Sequence, residues 1–160
     1  MKSARMKTSG TLVLFALVVL LTACSYSTDF VIVNDSTQAL EIEYRVKDFP
    51  GTFSPPVIPS ILASSQLSSH GNQSWTRLET GHYKVDPEQR TVSVRIMPGQ
   101  ALLVCSMHNY GGHNDVWDAK DFPLEQIRLE GASGVLLLRG EVARTKFSPT
   151  SRALYVLDYK

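Results

Sequence analysis

The chain has 160 residues, 43% of them hydrophobic and 19% charged, with 16 basic and 15 acidic side chains for a net charge of +1. That length suits one ordinary domain with a sizeable core. The near balance of charge, with no charge run and no internal repeat, argues against nucleic-acid binding, which needs a basic face.

The first residues carry Lys2, Arg5 and Lys7 and no acid, and an apolar run from Leu12 to Leu21 follows. A basic head, a short apolar stretch and a small-residue exit form the layout of a secretory signal. Ten apolar residues fall well short of the about 20 that a membrane-crossing helix needs. The exit, Leu21-Thr22-Ala23-Cys24, resembles the lipobox of bacterial lipoproteins at all four positions. The resemblance implies a diacylglycerol on the Cys24 thiol and cleavage between Ala23 and Cys24. The alternative is an ordinary signal cut near Ala23, which releases a soluble product. Ser25 follows the cysteine, where an Asp would resemble an inner-membrane retention signal. The expectation is therefore the periplasmic face of an outer membrane, in an organism that has one.

On this reading residues 1–23 are a signal, 24–29 a lipidated tether and 30–160 the folded domain. Loss of Lys2, Arg5 and Lys7 leaves 13 basic against 15 acidic residues, a net charge of −2. Cys24 is taken by lipid, so Cys105 is a lone thiol and an intramolecular disulfide is excluded.

The rest reads as mostly β. Phe30-Val31-Ile32-Val33 precedes a turn-rich Asn34-Asp35-Ser36-Thr37. Leu40, Ile42, Tyr44 and Val46 then alternate with Glu41, Glu43 and Arg45, the period of a strand with one dry face. The two segments predict a hairpin. Residues 47–72 hold Pro50, Pro55, Pro56 and Pro59 followed by many serines, a long loop in which Ser60 to Leu67 could form a short helix. Strands are expected over 74–78, 82–85, 92–96 and 101–105, with Met97-Pro98-Gly99-Gln100 as a turn. Residues 106–116 read as a Gly-rich polar loop. Leu124 to Leu129 and Val135 to Leu138 flank the turn Ala132-Ser133-Gly134, Glu141 to Phe147 reads as a helical piece, and 153–159 as a closing strand. Short strands separated by turns predict a single antiparallel β-sandwich, immunoglobulin-like or similar.

One cluster offers chemistry: Cys105, then His108 and His113 around Gly111-Gly112. It resembles the ligand loop of cupredoxins, in which a thiolate and imidazoles converge on copper. Position 113 is His where that family usually has Met, and a further His would come from His70 or His82. The resemblance implies a copper or zinc site on Cys105, His108 and His113. The bland alternative makes Cys105 a small core hydrophobe and both imidazoles solvated. Nucleophilic catalysis by Cys105 with His108 would need an orienting acid, and Asp115 is nearest in sequence. No Gly-x-Ser-x-Gly elbow or phosphate loop occurs, so no catalytic set is expected. Tyr110 and Trp117 are candidates for a binding surface, with Trp75 and Phe122 as further aromatics.

The functional expectation is a non-catalytic, membrane-anchored lipoprotein that binds an envelope partner through its loops, with covalent lipid as its only attached group. The alternative is a metal-binding or electron-transfer lipoprotein.

Overall fold

The computed structural model describes residues 26–47, 59–68, 73–109, 122–151 and 153–160. The described strands are β1 (Tyr26–Asn34), β2 (Leu40–Val46), β3 (Ser60–Ala63), β4 (Thr76–Arg77), β5 (Tyr83–Asp86), β6 (Thr91–Ile96), β7 (Gln100–Asn109), β8 (Leu124–Gly131), β9 (Gly134–Arg139), β10 (Ser148–Ser151) and β11 (Leu154–Tyr159). One short helix, α1 (Gly140–Thr145), links β9 to β10. The strands form a sandwich of two sheets, ordered β10-β11-β1-β7-β3-β4 and β5-β6-β2-β8-β9.

The alternation in β2 does what its period requires. Leu40, Ile42, Tyr44 and Val46 are buried while Glu41 is exposed. Phe30, Ile32, Leu102, Val104, Ile127 and Leu129 meet them in one core between the sheets, each such side chain stabilising the fold by about 1.5–3 kcal/mol. Val31, Val33, Ala101 and Leu154 point the other way. They pack under Leu67 and Trp75 in a second apolar cluster. Strand β1 is thus dry on both faces, which explains why Phe30 to Val33 is a continuous apolar run.

The expected hairpin between the first two strands does not form. β1 and β2 lie in different sheets, and residues 35–39 form an arch across the sandwich. Asn34, wholly buried, holds it. Its Nδ2 donates to the carbonyls of Gln38 (2.8 Å) and Ile96 (3.3 Å), and its Oδ1 accepts from the Ser36 hydroxyl (2.7 Å). The β6–β7 turn makes a second crossing beside the first, and its Gly99 N–H donates to the Asn34 carbonyl (2.8 Å). Gly99 has φ of +72°, the left-handed conformation that a glycine after Pro98 supplies without strain.

The pairings given above are antiparallel except one: β1 and β11 run parallel, from Asp29↔Leu154 to Asn34↔Tyr159. Tyr159 fastens β11 over the β8–β9 hairpin. Its hydroxyl donates to the Gly134 carbonyl (3.1 Å), and its ring leaves no space for a side chain at Gly131, where a Cβ would sit 2.8 Å away.

Three other expectations are revised. Within 60–67 the expected short helix is reduced to one 3-10 turn at Ser64–Gln66, and Ser60–Ala63 is strand β3. β1 begins at Tyr26, opposite Asn109, so residues 26–29 are paired strand and not free tether. β7 runs on to Asn109, so residues 106–109 are strand and not loop. The helical reading of 141–147 holds in α1, whose Ala143 enters the core together with Phe147. Among the described residues no helix is long and apolar enough to cross a membrane.

Candidate functional site

Cys105 sits where β7 is bulged. Phe30 pairs with Cys105 and the next residue, Val31, with Leu103. The extra residue, Val104, lets both Val104 and Cys105 join the inter-sheet core. Cys105 is fully buried. Burial pushes its thiol far above the ordinary value of 9.0, the charge of Asp29 pushes the same way, and Arg144 opposes them. The Tyr44 phenol is likewise pushed up, by burial and then by Cys105, and among the described residues its oxygen finds no hydrogen-bond partner. Ser106, one residue on, donates its hydroxyl to Asp29 Oδ1 (2.6 Å). The Arg144 guanidinium lies over the rings of Tyr155 (4.4 Å) and Phe30 (5.3 Å).

A thiol so placed stays protonated, whereas a nucleophile or metal ligand must be thiolate. It packs as a small hydrophobe. A pH dependence follows. Deprotonation is open to the unfolded chain and closed to the folded one, so the contribution of Cys105 to stability is complete below pH 9 and falls as pH rises above it. Relative to Cys105→Ala, the natural chain should lose about 1.4 kcal/mol per pH unit above that point. Maleimide should label Cys105 only after unfolding. Equal labelling rates for native and denatured protein would show that the thiol is accessible.

The other predicted site residues fall differently. The backbone of position 108 lies opposite Ser27 in β7, and its side chain lies outside the described part of the structure. His113, Tyr110, Trp117, His70, Asp115, Ala23 and Cys24 lie outside the described residues. His82 is exposed in the turn before β5. Phe122 is core, 5.0 Å from Phe30 between ring centroids, and Trp75 covers the second cluster. Among the described residues no three His, Cys, Asp or Glu side chains gather as metal ligands.

Two open clefts of about 600 and 580 Å³ flank β3 and β4 and share Ile61, Thr76 and Gln100. The second is lined by Arg77, Glu79, His82, Arg95 and Met97, all exposed. Arg95 is tied to Glu41 at 3.4 Å.

The feature not anticipated is the edge strand β9. Val135, Leu136, Leu137 and, on α1, Val142 are 58%, 39%, 44% and 55% exposed, and only Leu138 of the run is buried. The four sheet edges differ in how they are protected against pairing with other chains. β4 has two residues. β10 carries Pro149 and a register shift. β5 has four residues including Lys84 and Asp86. β9 has six residues in unbroken register with β8, from Gln126↔Arg139 to Gly131↔Gly134, with no proline and no charge before Arg139. Compared with protein-family models, curated proteins and solved structures, the chain shows no match.

Proposed function

We propose that the chain is a non-catalytic, lipid-anchored protein of the bacterial envelope that binds a protein partner close to a membrane surface. The observation that carries the binding reading is the bare apolar edge of β9 with Val142 beside it, a surface of the kind that marks interaction sites. The anchor rests on Leu21-Thr22-Ala23-Cys24. Two or three acyl chains on one residue make dissociation from the bilayer negligible. The first paired residue, Tyr26, is two positions from Cys24, so the domain stays within about 7 Å of its anchor point. The periplasmic face of the outer membrane is the proposed location, on the strength of Ser25.

Metabolic labelling with a fatty-acid probe tests the anchor. The natural chain should incorporate label and fractionate with outer membranes. Cys24→Ser should incorporate none and accumulate uncleaved. Label retained by Cys24→Ser would remove the anchor from the proposal.

A further inference from the structure

We infer that β9 is the seam of a homodimer, pairing antiparallel with β9 of a second copy so that two five-stranded sheets become one.

The contrast between edges supplies the first argument. Three of the four edges are short, charged, bulged or proline-bearing, while β9 offers six residues in straight register. Every second residue of an edge strand directs its N–H and C=O outward. Here those groups lie beside exposed Val135 and Leu137 on one face and half-open Leu136 on the other. An antiparallel partner satisfies the backbone and covers the side chains together.

Charge selects the partner and its direction. A two-fold axis at Leu137 keeps the two outer faces on one side and brings Arg139 of each copy opposite Val135 of the other. The β8 neighbour of Val135 is Glu130, which holds Arg128 at 2.6 Å yet leaves half of its side chain open. Arg139 then approaches Glu130 of the second copy, twice by symmetry, across about 10 Å of sheet that both long side chains can share. Parallel pairing in register would instead stack Arg139 on Arg139. A self-complementary patch of this kind is what a two-fold interface requires.

The geometry also agrees with the proposed lipid anchor, and the placing of both copies on one membrane rests on that anchor. The two-fold axis of antiparallel strands stands perpendicular to the sheet. The six-stranded sheets of both copies therefore lie in one layer, and both β1 strands enter from that layer. Two anchors can then sit in one bilayer. Confinement to that surface raises the effective concentration, so a modest seam suffices.

The test uses the full-length protein in its own membranes. Single cysteines replace Leu136, Leu137 or, as a control of matching exposure (39%), Val85 on the opposite edge. Cys105 is buried, and the natural chain reports any background from Cys24. Under mild oxidation Leu136→Cys or Leu137→Cys should give a covalent dimer of twice the chain mass, at least tenfold above Val85→Cys. No dimer at either position, equal yield from Val85→Cys, or an adduct of another mass would overturn the pairing. Dimer formation by a chain that takes no acyl label would remove the anchor and leave the seam standing. Acyl label without dimer would remove the seam alone.

Discussion

Asn34→Asp should cost about 3–4 kcal/mol of stability at pH 7, and part of that loss should return on acidification. The Asn34 amide donates to two carbonyls, Gln38 and Ile96, and the residue is wholly buried. An aspartate keeps the acceptor that Ser36 uses and removes both donations. Each orphaned buried acceptor costs about 1–3 kcal/mol, and an uncompensated buried charge adds to that. Burial raises the folded-state pKa of the new carboxyl above its unfolded value of about 3.9. The protonated form is then favoured in the folded chain and can donate one bond again. The penalty is smallest below about pH 4 and grows as pH rises through the raised value. Denaturant midpoints at pH 4 and pH 7, with Asn34→Leu as a control of little pH dependence, read this directly. A loss below about 1 kcal/mol, or one that ignores pH, would mean that the two arches do not depend on this side chain. Against a total stability of about 5–15 kcal/mol, the substitution threatens the fold itself.

Phe30→Ala should be comparably severe, at about 3–5 kcal/mol. Phe30 is fully buried at the centre of an aromatic group, with ring centroids 5.0 Å from Phe122, 5.5 Å from Phe147 and 5.1 Å from Tyr155. The edge-on contacts with Phe122 and Phe147 each add about 0.5–1.5 kcal/mol beyond area burial. These residues come from β1, from the segment before β8, from the link between α1 and β10 and from β11, so one ring joins four parts of the chain. Truncation also removes one of the two rings under Arg144, whose Nε is buried without a hydrogen-bond partner among the described residues. Phe30→Leu keeps most of the volume but loses both edge-on ring contacts, and should cost about 1–3 kcal/mol. Thermal unfolding of the pair settles it: similar midpoints for the two variants would show that the cluster does not centre on Phe30.

Much of the strand content is legible because burial imposes a period. β2 reads as a strand from Leu40, Ile42, Tyr44 and Val46, and those residues are the buried ones. The turn at Met97–Gln100 is legible because Pro98-Gly99 leaves few other conformations. Which strand pairs with which is less legible, because period says nothing about partners. Residues 34–40 look like a hairpin connection, yet Asn34 turns them into an arch through a bond to Ile96, 62 positions away. The run Val135 to Leu138 shows the converse limit. Four apolar residues in a row usually mean a strand buried on both faces, but at a sheet edge three of them are exposed. Cys105 was legible as a choice between ligand and core. Burial and the bulge favour core packing, and neither leaves a mark in local spacing.

The parallel pairing of β1 with β11 has a consequence for the order of events when the chain is made. β1 sits between β7 and β11, and its parallel pairing, from Asp29 on, starts only at Leu154. The middle of the larger sheet therefore cannot close until β11 is available. Contacts so distant in sequence make folding slow. Until then Phe30 to Val33 is an apolar strand with one flank open. Folding here is an act of completion, in which β1 must be kept from other partners until β11 arrives.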